Sequence, residues 1–295
     1  MTAAAADSCR TIDDLSSAYA VTVSRKRKQF LISGAVLAAV TLIAGWMAEV
    51  DLVLFFSNIH KFPNYISRIF ILDSGNLKGS LVIFDILGWF WGIGKWLRLL
   101  ADTLLIAYVA TMIGAIFGFI ACFFAAGNLG VSTPLRFAVR RYLEFCRTVP
   151  ELVFALIFVL AFGLGPIAGV LAIIVHTTGA LGKLFYEVIE NIDQKPVEGL
   201  ISSGASWTKT MRFAVLPQVL SNFISYALLR FEINVRGASV MGFVGAGGIG
   251  QDLIEAIRKF YYPDVSAILL LIIVTVAIID LVTERIRHRF IAQGH

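Results

Sequence analysis

The chain has 295 residues, of which 58% are hydrophobic and only 15% are charged, and its formal net charge is +5. Soluble globular domains carry roughly 25% charged and about 45–50% apolar residues. An apolar excess of this size, with a mean hydropathy of +0.81, cannot be buried in one small core and excludes an ordinary soluble domain. Lipid must cover the remaining apolar surface, so we predict an all-α membrane protein.

Charge-free runs predict the positions of the transmembrane helices, since about 20 apolar residues cross a bilayer. One run, 152–182, is too long for a single helix, and Gly163-Leu-Gly-Pro166 interrupts it. A proline removes a backbone donor and ends a helix. Dividing the run there gives about six spans, at residues 30–53, 101–126, 149–164, 167–189, 217–236 and 264–285.

Two stretches near the amino end lie outside these spans. The head, residues 1–28, is mostly small and polar, and we predict a disordered cytoplasmic tail. Residues 56–100 hold Trp89 and Trp91 near Lys95, a composition that suits a helix at the outer membrane interface. The predicted domains are the tail (1–28), a first helix with an outer interfacial segment (29–100) and a helical core (101–290).

Basic residues orient the helices in the membrane. Four groups precede the first span, lie in the second and fourth loops and follow the last span: Arg25-Lys26-Arg27-Lys28; Arg136, Arg140, Arg141 and Arg147; Lys195, Lys209 and Arg212; Arg285, Arg287 and Arg289. With six spans all four fall on one side, which the positive-inside rule makes cytoplasmic. We therefore expect a multi-pass plasma-membrane protein with both termini in the cytoplasm. Contacts with anionic membrane lipids account for the positive charge, so no nucleic-acid partner is needed.

The chain lacks the sequence motifs of nucleotide, metal and hydrolase sites. It contains no G-x-x-x-x-G-K-S/T, no H-E-x-x-H and no G-x-S-x-G, and Cys9, Cys122 and Cys146 do not have metal-ligand spacing. Residues 245–250 match G-x-G-x-x-G, but a predicted span precedes them where a nucleotide site needs a strand. We expect a flexible turn there before a short helix at 251–260. Neither a catalytic site, nor a metal site, nor a cofactor is predicted on this chain.

The most specific segment is the polar loop between the fourth and fifth spans. Pro196 suits the first turn of a helix, Gly204 suits a turn with positive φ, and Ser206 suits the N-cap of a second helix. Pro217 is expected to end that second helix before the fifth span. The loop is therefore predicted to form a cytoplasmic helix-turn-helix bracket that carries Glu198.

The spacing of Glu198, Gly204, Leu216 and Pro217 in this loop (193–217) resembles the EAA loop of ABC-transporter permeases. The chain departs from that pattern at Gly199-Leu200, where the family has two alanines, and at Ala214. The resemblance implies that the bracket docks into a groove of a separate ATP-hydrolysing subunit, which would hold ATP and Mg. The residues implied in this coupling are Glu198, Gly199, Gly204, Ala205, Leu216 and Pro217.

Further segments resemble the phosphonate-type permeases of the ABC family. They are Arg147-Thr-Val-Pro-Glu151, Gly163 to Gly169, His176-Thr-Thr-Gly179, Arg230 to Arg236 and Val244 to Gly250. This resemblance covers roughly Ala101 to the carboxyl end and implies a type I ABC importer core made by the last five helices. It also implies two permease copies, a dimer of ATPase subunits, a solute-binding protein, and phosphonates or relatives such as phosphite as substrates.

Polar residues inside the predicted spans mark a candidate anion path, and they are Arg230, Glu232, Asn234, Arg236 and His176. Helix rise places Arg230 about 20 Å into the apolar core, where an arginine costs several kcal/mol unless it faces a partner or water. Glu232 and Arg236 lie four residues apart and can pair, so a structural ion pair explains them equally well. No acid at helical spacing serves Arg230, which favours a role in the path. An intramembrane His176 is more often an interhelical hydrogen-bond partner than a ligand.

Two other classes of protein remain as alternatives. A stand-alone secondary anion transporter would work without an ATPase. An integral-membrane enzyme acting on phosphoesters would need clustered acids, histidines or a metal set. The four histidines, His60, His176, His288 and His295, are scattered along the chain, which argues against the enzyme.

Overall fold

A computed structural model describes the backbone of residues 2–49, 51–72 and 78–292. Within these ranges the regular structure is helical, and the β-structure is one isolated antiparallel bridge between Ile71 and Leu81. The all-α prediction is therefore confirmed. The chain forms two compact units, Met1–Tyr65 and Ile66–His295.

The first unit is dominated by one long helix, α1, which runs over 46 residues from Thr2 to Met47. Its apolar part, Tyr19–Met47, is long enough to cross a membrane. The helix also includes the head for which disorder was predicted. That head contains neither proline nor glycine, and its residues 3–6 are alanine, the residue with the highest helix propensity. Two short helices follow, α2 (Leu52–Asn58) and α3 (Lys61–Ile69).

The second unit continues with ten α-helices in the described residues: α4 (Ile86–Trp89), α5 (Ile93–Ala125), α6 (Thr133–Thr148), α7 (Glu151–Phe162), α8 (Pro166–Glu190), α9 (Lys195–Ser202), α10 (Trp207–Thr210), α11 (Leu216–Met241), α12 (Ile249–Arg258) and α13 (Tyr262–Ala292). The predicted break is confirmed, since α7 ends before Gly163 and α8 begins at Pro166. Gly163 and Gly165 have φ values of 86° and 146°, which favour glycine.

Four helices in the described chain are long and apolar enough to cross a membrane, and they lie in α1, α5, α8 and α13. The number becomes five if α6 and α7, bent by 87°, form one broken span. The third predicted span differs from the structure, because α7 has only 12 residues and is about 18 Å long. The fifth predicted span corresponds to α11, which has 26 residues but is made less apolar by Arg230, Glu232 and Arg236.

Small residues let α5 and α8 approach closely. A Cβ atom at Gly118 would lie 2.9 Å from the backbone nitrogen of Gly182, and one at Gly114 would lie 2.8 Å from the Thr177 Cβ. Gly114 and Gly118 have the G-x-x-x-G spacing of tightly packed membrane helices. The contact fixes α8, the helix that carries His176, against α5.

Polar contacts define one end of the second unit, which we call the bracket end. There the carboxylate of Glu190, at the end of α8, pairs with Arg140 of α6 and accepts a 2.7 Å hydrogen bond from the Gly127 amide. Asn128 Nδ2 donates to the Ile189 carbonyl at 2.7 Å. The loops after α5 and α8 therefore lie together, as the shared basic groups predicted.

The opposite end of this unit collects the starts of α5 and α13 together with α12. Lys95 Nζ lies 2.6 Å from Asp252 Oδ2, and the Ile249 amide donates to Thr103 Oγ1 at 2.9 Å. Trp89 is buried and donates through Nε1 to the Pro263 carbonyl at 3.1 Å. The structure groups residues 66–72 and 78–100 with the core, whereas the sequence placed residues 56–100 in an outer interfacial segment.

The bracket follows the predicted pattern in its first half and departs from it in its second. Pro196 lies in the first turn of α9, Gly204 has a φ of 79°, and Ser206 precedes α10, although its side chain makes no capping hydrogen bond. Pro217 does not end the second helix. A π-helical turn, Met211–Val215, joins α10 directly to α11, and the Leu216 amide donates to the Met211 carbonyl.

Candidate functional site

The candidate site lies where α5, α7, α8 and α11 meet. Two of the helices, α8 and α11, carry the polar residues that the sequence identified, His176 on the first and Arg230 and Asn234 on the second. The spacing of Arg230 and Asn234 places both side chains on one face of α11. In the structure this face meets α8 at Thr177.

Asn234 forms the buried base of the site. It is 0% exposed, and its Nδ2 donates to Thr111 Oγ1 at 2.8 Å and to Thr177 Oγ1 at 2.9 Å. Thr177 Oγ1 also accepts from Arg230 Nε at 3.4 Å. These bonds join α5, α8 and α11 and fix the base of the arginine side chain.

The guanidinium of Arg230 lies against an imidazole and a carboxylate. Its Nη2 contacts His176 Nδ1 directly. Because a guanidinium only donates, Nδ1 must be the acceptor in this contact, and the ring proton of a neutral His176 then lies on Nε2. Glu151 Oε2 lies 3.8 Å from Arg230 Nη2 and 3.9 Å from His176 Nδ1.

Glu151 is the site residue that the sequence argument missed. Helix α11 itself has no acid at helical spacing from Arg230. The acid that faces Arg230 comes instead from the first turn of α7. The side chains of Arg230 and Glu151 are only 11% and 24% exposed, so both are largely enclosed. A signal was present, since Glu151 ends one of the segments that resemble phosphonate-type permeases.

The other two candidates on α11 form a separate pair. Arg236 contacts Glu232 one turn earlier, with relative side-chain exposures of 53% and 10%. Arg236 also lines an open groove of 370 Å³ beside the site. The groove-lining residues are Glu151, Leu152, Ile233, Arg236, Gly237 and Val240.

The bracket lies away from this cluster, before the amino end of α11. Glu198 and Gly199 are exposed on α9, whereas Val197 is buried beneath them. The turn after α9 is closed by a 3.0 Å hydrogen bond from the Ala205 amide to the Leu200 carbonyl. Helix α9 thus presents Glu198 on its exposed side above a buried apolar base.

Two contacts hold the bracket against the helices. Trp207 Nε1 donates to the Leu129 carbonyl at 3.3 Å, and its ring stacks on Phe124. Gln218 Nε2 donates to the Asp193 carbonyl at 3.2 Å, and its Oε1 accepts from the Asp193 amide at 3.1 Å. The bracket is therefore connected to α5 through Phe124 and to α11 through Gln218.

These features define a helical membrane protein with a polar cluster between its helices and a helix-turn-helix bracket at one end. Residues 114–292 match the family model of the binding-protein-dependent transport system inner membrane component. The chain belongs to that family and is a permease of a binding-protein-dependent transport system. The resemblance to phosphonate-type ABC-transporter permeases is confirmed by the relatives described next.

The sequence is similar to several characterised or inferred permeases. The phosphite transport system permease protein PtxC of Stutzerimonas stutzeri is 42% identical over 202 residues, which is 68% of this chain and 73% of the relative. The putative phosphite transport system permease protein HtxC of the same organism is 30% identical over 266 residues, 90% of this chain and 88% of the relative. The putative cryptic phosphonate transport system permease protein PhnE2 of Escherichia coli K12 is 50% identical over 121 residues, 41% of this chain and 99% of the relative.

Solved structures confirm the type I ABC importer fold. An inward-facing structure of the MetNI methionine ABC transporter has a TM-score of 0.61 at 19% identity and covers 70% of this chain and 98% of that chain. An amino acid ABC transporter crystallised with histidines has a TM-score of 0.55 at 20% identity, covering 68% of this chain and 98% of that one.

Proposed function

We propose that this chain is the membrane-spanning subunit of an ATP-driven ABC importer for phosphonate-like anions, such as phosphonates and phosphite. The observation that carries the proposal is the enclosed guanidinium of Arg230, held beside His176 and Glu151 in an otherwise apolar bundle. Relatives named for phosphite and phosphonate transport support the same substrate class.

The chemistry of the cluster fits a phosphorus oxyanion. A guanidinium presents paired donors that match the oxygens of a tetrahedral anion, and charge-assisted hydrogen bonds of this kind are roughly twice as strong as neutral ones. Keeping a charged arginine at this depth is costly, which is why such residues mark substrate paths in membrane proteins. Thr177, which Asn234 also contacts, accepts from the Nε of the arginine, and His176 contacts its Nη2. None of the described residues accepts a hydrogen bond from Nη1, so this group can face a ligand.

In the proposed cycle the bracket transmits the motion of a partner. ATP and Mg would bind to a dimer of separate ATPase subunits, which contact Glu198 and its neighbours in the cytoplasm. Their closure would move two copies of this permease between outward and inward openings. A solute-binding protein would deliver the anion at the outer side. This orientation places both termini of the chain in the cytoplasm of a bacterial cell.

Reconstitution separates this importer from a secondary transporter. Proteoliposomes containing the permease, its ATPase and its solute-binding protein should take up labelled phosphite or methylphosphonate only when ATP and Mg reach the ATPase. Vesicles with the permease alone, under an imposed proton or sodium gradient, provide the control. Uptake driven by a gradient without the ATPase would refute the proposal.

A further inference from the structure

The carboxylate of Glu151 faces the two basic groups of the site without bonding to either. Its Oε2 lies 3.8 Å from Arg230 Nη2 and 3.9 Å from His176 Nδ1. Both distances exceed those of a hydrogen bond, and none of the described residues donates one to this carboxylate. Glu151 is thus an acceptor placed beside a donor, with an unfilled hydrogen-bonding capacity.

The spacing leaves room for an oxygen atom of a ligand. Two atoms that are 3.8 Å apart can each lie about 2.8 Å from a third atom, which is an ordinary hydrogen-bond distance. The groove of 370 Å³ reaches Glu151 from one side. Gly237 keeps that side clear, because a Cβ atom there would lie 2.5 Å from Glu151 Oε1.

A carboxylate at this position distinguishes anions that carry a proton on an oxygen atom from anions that do not. An ionised carboxylate only accepts hydrogen bonds, so it stabilises a ligand oxygen that carries a proton and repels one that does not. A singly protonated phosphonate or phosphite has one P–OH group together with unprotonated oxygens. Sulfate at neutral pH has no proton to donate.

We propose that Glu151 determines the protonation state of the oxyanion that this site accepts. The oxygen of the P–OH group lies between the two side chains, where it donates a hydrogen bond to the Glu151 carboxylate and accepts one from Arg230 Nη2. The inference rests on the proposed function, since it assumes that an oxyanion reaches Arg230.

The charged surroundings of Glu151 come from two packed helices. On α8 the facing group is His176. On α11 the facing groups are Arg230 and, across the groove, Arg236, which is paired with Glu232. Glu151 is the only charged residue of α7 itself. His176 is therefore the one other group whose titration could mimic the expected behaviour, and a histidine variant must accompany the test.

The test measures anion binding to the permease–ATPase complex in nanodiscs without the solute-binding protein. Phosphorus NMR line broadening reports weak binding of methylphosphonate at two pH values, below and above its second ionisation. The wild-type complex should bind the monoanion at least about tenfold more tightly than the dianion, and equimolar sulfate should not displace it. Displacement by sulfate, or equal binding at the two pH values, would overturn the inference.

Variants assign the effect to Glu151. Glu151→Gln should reduce the monoanion preference towards unity and allow sulfate to compete, while Glu151→Asp and His176→Gln should keep the preference. An unchanged preference in Glu151→Gln, or its loss in His176→Gln alone, would contradict the assignment. Co-elution with the ATPase checks that each variant is folded.

Arg230→Ala separates this inference from the function on which it rests. Broadening should disappear in that variant at both pH values. If it persists, the anion site at Arg230 is wrong regardless of Glu151. If it disappears while Glu151→Gln behaves as the wild type, only the selective role of Glu151 fails.

Discussion

At the scale of residues, the site depends on a hydroxyl that few sequence arguments would single out. Thr177 Oγ1 accepts hydrogen bonds from both Arg230 and Asn234, so it holds two buried donors. The sequence predicted the shared face of Arg230 and Asn234 from their spacing, and it placed His176 at a similar depth. It did not identify Glu151, because a contact between separate helices depends on how α7 packs, and periodicity within one helix carries no information about that.

Replacing Thr177 by valine should destabilise the protein more than the same change at its neighbour. Thr177→Val leaves two buried donors unpaired, which costs about 1–3 kcal/mol. Thr178→Val is the matched control, since that hydroxyl donates to the Ile174 carbonyl and receives no hydrogen bond from the described polar side chains. Thermal unfolding of the two purified variants measures the difference. Equal unfolding temperatures would show that the hydroxyl of Thr177 does not hold the cluster.

At the scale of elements, proline and glycine predicted helix ends and turns correctly at positions where the backbone conformation requires them. The break at Gly163 to Pro166 and the positive φ of Gly204 both follow from the conformational limits of these residues. Pro217 was misinterpreted as a helix end. It lies in the first turn of α11, directly after a π-helical turn that continues from α10. The sequence has no local signal for a π-helical turn, which depends on tertiary packing.

Reversing the charge of Glu198 should uncouple the bracket from its partner. The side chain is exposed on α9, so we expect its replacement to leave the fold intact. A lysine at this position would face the basic groups that pair with Glu198 in the partner, and like charges facing each other at an interface cost several kcal/mol. Glu198→Lys should reduce co-purification of the ATPase and ATP-driven uptake by at least about tenfold. Glu255→Lys, an exposed acid on α12 at the opposite end, is the control and should retain the ATPase. Normal uptake in Glu198→Lys would contradict the role of the bracket.

At the scale of the whole molecule, composition alone gave the membrane class, and the shared basic groups predicted which loops lie together. The contacts of Glu190 with α6 and with the loop after α5 agree with that arrangement. The grouping of residues 66–72 and 78–100 with the core was not predictable, because Trp89 and Trp96 are typical both of interfaces and of buried cores. The sequence could not distinguish an interfacial from a buried position for these tryptophans, because that depends on where α12 and α13 lie.

The proposed importer places anion transfer at Arg230, near the middle of α11, and energy input at the bracket, which precedes the amino end of that helix. The measurement that tests this most directly is ATP-driven uptake of labelled phosphite by proteoliposomes that contain the complete complex, with ATP hydrolysis recorded in parallel. Arg230→Ala should reduce uptake at least about tenfold, because it removes charge-assisted hydrogen bonds of about 1.5–3 kcal/mol each. Basal ATP hydrolysis and complex assembly should remain, and Arg141→Ala, an exposed arginine on α6, should transport normally. Undiminished uptake by Arg230→Ala would contradict the account and leave this arginine with a structural role.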